Sequence, residues 1–309
     1  MPNINQRRVI DPILSTVVQG YRHPDHVGGL LFPRVPVRTA GGQILEFGQE
    51  SFKLYSSARA PGAATKRIQF GYLGRPFALE NHALEAPVPR EHARDAAEVP
   101  GIDLGTRAVN LVMQSMSLSL ESAQAVLATT AGNYDSAHKV TLSGTAQWSD
   151  KSASNPIGDI STAREAVRST VGLYPNTLIL SAAAFAQLKD HPQLTDRIKY
   201  TQSGVLTPAL IGAVLDIPTV AVGGAITFSD AGVATSLWGK HAVLAYVPPV
   251  PSTMEEPSYG YTYAMEGHPL VEAPYWEPQT KSWIYGVAYE RVPVLSGITS
   301  GYLITNAVA

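Results

Sequence analysis

His23 and His26 flank Asp25, and two imidazoles with a carboxylate are the side chains from which a transition-metal site is built. Pro24 breaks the helical spacing that would set them on one face, and no further ligand cluster is evident. The pattern reads as a turn, and no metal or cofactor is expected. Glu255 and Glu256 are adjacent carboxylates, but they stand in a Pro-rich stretch and read as a solvated loop, not an acid/base pair. Tyr259, Tyr261, Tyr263, Tyr275 and Trp276 could stack on bases or sugars, yet without interleaved basic residues they read as packing or interface. No Gly-Lys phosphate loop, glycine-rich dinucleotide fingerprint, His-Glu zinc helix or Gly-x-Ser-x-Gly elbow occurs. The absence of cysteine excludes disulfides, thiolate nucleophiles and Cys-ligated zinc, and fits a chain assembled in a reducing compartment. Catalysis is therefore not expected.

Charge is more informative in its distribution than in its total of -2. Residues 1 to 75 hold ten Lys/Arg against four Asp/Glu, residues 76 to 130 three against seven, and residues 131 to 309 ten against fourteen. A basic first quarter on an acidic body predicts that the N-terminal part lies on an acidic surface, its own or a neighbouring copy's. Near-neutrality overall argues against gripping nucleic acid, and no run reaches the length of a membrane span.

The elements that must carry these residues fall into an α+β order. Hydrophobic residues make up 45% of the 309, enough to bury a sizeable core. Residues 1 to 42 mix proline, polar residues and isolated apolar anchors and read as an extended arm. Residues 43 to 83 read as an extended loop: two β-like runs, Gln43 to Gln49 and Arg67 to Leu73, around a polar basic tip. A two-stranded ribbon is marginal alone in water, so it packs on something, either a neighbour or its own domain. Pro87, Pro89 and Pro100 mark a connector before the longest helical signal, Leu104 to Thr129, with Asp103 as its cap and Gly132 as its stop. Only Arg107 and Glu121 are charged within it, so this helix of roughly 38 Å is expected to be largely buried. Helices are predicted over Ile160 to Thr170, Ala182 to Lys189 and Thr207 to Leu215. Strands are predicted over Asn176 to Leu180, Ile217 to Val222, Ala242 to Val247, Ser282 to Val292 and Tyr302 to Thr305. Without βαβ alternation, this is not a doubly wound sheet.

The run Tyr174, Pro175, Asn176, Thr177, Leu178, Ile179, Leu180 continues through Leu188, His191, Pro192, Asp196, Arg197, Ile198, Lys199 and Tyr200, then Leu206, Thr207, Leu210, Ile217 and Val220 to Gly223. It resembles the axial-domain signature of the major capsid proteins of tailed bacteriophages. Tyr21, Leu31, Phe32, Pro33, Val35, Val37 and Arg59 to Gly62 are similar to the arm and loop of one branch of that family. The resemblance covers nearly the whole chain and implies the HK-ninety-seven-type capsid fold. By position it implies an N-terminal arm (1–42), an extended β-loop (43–83), a peripheral domain (84–155) holding a spine helix (103–129), an axial domain (156–279), and C-terminal strands (280–309) returning to the peripheral domain.

The resemblance further implies a structural protein that self-assembles into pentamers and hexamers, forming an icosahedral head around phage double-stranded DNA. It would reside in the virion, and in the host cytoplasm during assembly. Residues 1 to 83 would take most of their order from neighbouring copies. Lys53, Arg59, Lys66, Arg67 and Arg75 would meet Glu85, Glu91, Asp95 and Glu98 of the next subunit, steering register more than supplying affinity. The alternative is a solvated hairpin whose charges contribute little. Because the arm begins almost at once, a separately encoded scaffolding protein is expected, with a portal, a possible decoration protein and weak, sequence-independent contact with packaged DNA as further partners. Lys53 or Lys66 could form the covalent crosslink of some relatives, but no acceptor can be named. An encapsulin-like compartment is the nearest rival, and a hydrolase or binding module the rival from another class.

Overall fold

The computed structural model describes residues 11–19, 23, 26–44, 58, 62, 74–97, 103–198, 206–249 and 258–309. In chain order the elements are α1 (Pro12–Gln19), α2 (Gly28–Leu31), β1 (Arg34–Val37), β2 (Gly41–Gln43), β3 (Pro76–Ala78), β4 (Glu80–Pro89), α3 (Arg90–Ala97), α4 (Leu104–Thr129), β5 (Lys139–Thr141), α5 (Pro156–Val171), β6 (Thr177–Ser181) and α6 (Ala182–Lys189). There follow α7 (Pro192–Ile198), α8 (Pro208–Leu215), β7 (Thr219–Gly223), β8 (Ile226–Phe228), β9 (Ala234–Ser236), β10 (Ala242–Ala245), β11 (Gly260–Met265), β12 (Leu270–Val271), β13 (Tyr275–Glu277), β14 (Ser282–Leu295) and β15 (Gly301–Thr305).

α4 organises the rest. Asp103 caps it by accepting from Gly105 N at 2.9 Å and from Thr106 Oγ1, and those bonds hold its carboxyl below the usual carboxylate range. At the other end the helix stops at Thr129, ahead of Gly132. Side chains satisfy its last carbonyls: Asn133 Nδ2 donates to Leu127 O at 2.9 Å and Tyr134 OH to Ala128 O at 2.7 Å. The helix, expected to be largely buried, is covered along one stripe: Ala108, Val109, Val112, Met116 and Ala125 are inside, whereas Leu111 and Val126 are 64% and 60% exposed.

The N-terminal half of α4 packs on a six-stranded sheet whose axis is β14. Along one edge β4 pairs antiparallel, from Glu80 opposite Arg291 to Pro89 opposite Ser282. Along the other, β13, β12 and β11 pair in turn, and β1 joins β11 in parallel. Alternation along β14 turns Tyr285, Val287, Tyr289 and Arg291 toward α4. The C-terminal half of α4 reaches a five-stranded sheet ordered β5-β15-β10-β6-β7. One face of that sheet, with Leu178, Leu180, Leu244 and Ile304, is covered by α5 to α8. The opposite face, with Ile179, Val243 and Leu303, meets Ala125, Ala128 and Phe32. Coverage on both faces explains why β6 and β10 are buried at every position and read as continuous apolar runs.

Several expectations are corrected. Where described, the arm is not extended: α1 and α2 lie within it, and Val18, Val27, Leu31, Phe32 and Val35 are buried in the chain's own core. These helices are too short to show periodicity, although Asp11 caps α1 through Leu14 N at 3.0 Å, an Asp-Pro start visible in the sequence. Residues 11–19 and 26–44 are thus ordered by their own chain. The ribbon has its root in β2 and β3, where Gly41 to Gln43 pair with Ala78 to Pro76, and most of the loop lies outside the described residues. Strands were not expected at β1, β8, β9 or β11 to β13, and the expected connector marked by Pro87 and Pro89 is instead the end of β4 followed by α3. Strand pairing also crosses the boundaries at 155/156 and 279/280, since β11 joins β14 while β5 and β15 join β10 and β6.

Candidate assembly interface

The surface that carries the predicted intersubunit charges begins where β4 runs into α3. Glu91 and Asp95 lie exposed on α3 and are already paired on the same helix, with Arg90 Nη2 at 3.6 Å and Arg94 Nη2 at 2.8 Å. Glu85 stands on β4 and is exposed; its Oε2 accepts from Tyr275 OH at 3.2 Å. A Cβ placed on Gly286 would lie 3.5 Å from Glu85 Oε1 and 3.8 Å from Glu272 Oε2, so these two carboxylates share one patch of the sheet. Partial burial, then Glu85, Glu277 and Glu272, push the Tyr275 phenol up. Arg75 is exposed at the start of β3, its carbonyl accepting from Ile44 N at 2.8 Å. Lys53, Arg59, Lys66, Arg67 and Glu98 lie outside the described residues, as do Asp25, Glu255 and Glu256.

Glu272 escaped sequence reasoning because it is nearly two hundred positions from Glu85 and only the β14 register, with Gly286 between them, brings it beside Glu85. The tyrosines divide. Tyr259, Tyr261 and Tyr263 are inside the core, where burial raises Tyr263 to about 12. Tyr275 and Trp276 are on the surface, the latter in an edge-on pair with Trp283 at 5.7 Å. His23 and His26 stack at 4.4 Å, and among the described residues no group of three or more His, Asp or Glu is placed to hold a metal.

Apolar surface is concentrated in two further places. A groove of about 720 Å³ runs between β4, α3 and α4, with Leu111 on its rim 64% exposed. The β8–β9 hairpin leaves Phe228 and Val233 more than half exposed, at 65% and 61%. Exposed apolar side chains grouped in this way mark a surface suited to contact with another surface. Residues 131–290 match the family model described as Phage major capsid protein E. The chain belongs to that family. It is 34% identical over 311 residues to the major capsid protein of Burkholderia phage BcepMu, covering 99% of each. The crystal structure of a phage-related protein from Bordetella bronchiseptica is 46% identical, with TM-score 0.84 and coverage of 97% of this chain and 98% of that one. The mature capsid subunit of bacteriophage PhiM1 is only 11% identical yet shares the fold at TM-score 0.53, over 93% of this chain and 88% of that one. The SrpI encapsulin of Synechococcus elongatus shares it too, at 12% identity and TM-score 0.56 over 92% and 88%, so fold alone does not separate the shell types and the family does. The chain is therefore a structural subunit of a phage capsid shell, with the HK-ninety-seven-type fold, and its place is the virion. Among the described residues no helix is long and apolar enough to cross a membrane.

Proposed function

We propose that this subunit joins copies of itself into pentamers and hexamers of an icosahedral head around double-stranded DNA, and that the basic 43–83 loop of one copy lies on the acidic sheet of the next. The observation that carries the reading is the state of the predicted acids. Among the described residues Glu91 and Asp95 have cations on their own helix, while Glu85 accepts from the neutral Tyr275 hydroxyl and shares its patch with Glu272. Arg59, Lys66 and Arg67, with Lys53 and Arg75, are the loop's cations, and pairing across the contact would set register more than affinity.

In this reading the peripheral unit is the six-stranded sheet with the N-terminal half of α4, and the axial unit is the five-stranded sheet with α5 to α8. That division follows strand pairing in place of the boundaries at 155 and 279. Assembly takes place in the host cytoplasm with a scaffolding protein, a portal and a decoration protein as partners. Packaged DNA is touched weakly and without sequence preference, and the subunit performs no catalysis.

A charge swap tests the loop contact. Glu85→Lys and Arg59→Glu each lower shell yield in electron microscopy and size-exclusion chromatography, and the double variant recovers part of it. Wild-type yield from the triple reversal of Arg59, Lys66 and Arg67 would remove the loop contact from the proposal.

A further inference from the structure

Between α1, α2, α4 and β14 lies a cavity of about 390 Å³ whose lining includes Arg291, Arg34, Tyr289, His23 and His26. Arg291 is 2% exposed. Its Nη2 donates to Met116 O at 2.6 Å and its guanidinium stacks 4.7 Å from the Tyr289 ring centroid, but Nη1 is buried with no hydrogen-bond partner among the described residues. Arg34, on the exposed side, approaches the same ring at 5.8 Å and donates to His268 O. Two guanidiniums therefore converge on one tyrosine.

Among the described residues, two carboxylates beside them in the fold have other partners. Glu121, also on the cavity wall, accepts from Val27 N, Gly28 N and Trp238 Nε1. Glu80, opposite Arg291 in the strand register, lies 3.7 Å from His82 Nε2. Burial and then the Arg291 charge lower the His82 pKa, so that charge is felt by its neighbours. A buried cation without an anion or a full set of acceptors is costly, and a fork-shaped guanidinium matches the two oxygens of an oxyanion. At about 30 Å³ per water, the cavity has room for such a group with its hydration.

We propose that this cavity binds an oxyanion between Arg291 and Arg34: a free phosphate-like or carboxylate anion, or an acidic side chain of a second copy. The probe is inorganic phosphate, titrated at constant ionic strength into full-length unassembled subunits while Tm is read. A free-anion site gives a saturable rise in Tm that Arg291→Met abolishes. If that core variant fails to fold, Arg34→Met on the exposed side supplies the reading, with the midpoint moved at least about tenfold upward. A side chain from a second copy gives a flat phosphate response in wild type, with Arg34→Met losing shells while subunit Tm is unchanged. The proposal is overturned if phosphate acts equally on wild type and variants, or if wild type is flat and Arg34→Met forms shells at full yield.

Discussion

Glu121 accepts the indole N–H of Trp238 at 2.7 Å, a bond that ties the middle of α4 to the chain between β9 and β10. The same carboxylate takes Val27 N at 3.0 Å and Gly28 N at 2.9 Å, so it also seats the first turn of α2. Burial pushes its pKa up, and the three donors pull it back. One side chain thus joins the arm, the spine helix and the five-stranded sheet.

Removing that carboxylate orphans three buried donors. Glu121→Ala is expected to destabilise the subunit by at least about 3 kcal/mol, and Glu121→Gln by roughly half as much, because the amide NH₂ faces a donor. Trp238→Phe should cost less than Glu121→Ala, and the double variant less than the two together. Urea unfolding of the four proteins checks the order; additive losses would contradict the shared bond.

Gly260 lies where the arm meets β11. A Cβ there would stand 2.6 Å from two atoms of the Phe32 ring and 2.7 Å from Val294 O. Backbone cannot retreat as a flexible side chain can, so Gly260→Ala is expected to lose about 1–3 kcal/mol or fail to fold. Gly224→Ala has nothing within 4 Å and serves as the near-neutral control. Equal solubility and Tm for both would refute the packing.

His191 is fully buried, its Nε2 bonded to Ser154 Oγ at 3.0 Å and its Nδ1 accepting from Gln193 N at 3.3 Å. Burial first and Lys151 second lower its pKa, and burial lowers His241 as well. A folded pKa below the unfolded 6.5 means that the unfolded chain takes up the proton first. The stability these residues lend is complete above that value and is lost as pH falls through the folded values. Glu121 has the opposite sign, since its raised pKa costs stability as pH climbs above 4.5. Tm should therefore fall from pH about 7.5 to about 5, and His191→Asn should flatten that fall. An unchanged slope would remove His191 as its source.

The α3 ion pairs are exposed and local. Glu91→Gln and Asp95→Asn should each change subunit stability by less than about 0.5 kcal/mol, by the same denaturation assay. A larger loss would mean that these carboxylates hold more than Arg90 and Arg94.

Much of the five-stranded half was legible because its signals are local. Asn176 to Leu180 is a buried aliphatic run, and α6 follows it from a serine cap, Ser181 Oγ accepting from Ala184 N at 3.2 Å. α5 begins a turn earlier than its apolar period suggests, because Asn155 caps it through Gly158 N at 3.0 Å and Pro156 opens it. β11 to β13 were missed: they are short, tyrosine-rich and set among prolines, so the stretch resembles a loop, and they become strands only by pairing with β14. The acidic patch was half legible, Glu85 by its charge and Glu272 only by register.

By itself the sequence determined the spine helix, since twenty-six residues with one cap, no internal proline and two charges leave a buried helix as the economical state. It also carried the likeness to the phage capsid family to which the chain belongs. Tertiary structure alone decided that the arm folds back as α1 and α2, that Glu121 is the joint between layers, and that Arg291 is buried in the lining of a cavity. Those outcomes depend on which distant groups can satisfy a buried donor or charge, and nothing local in a chain records that.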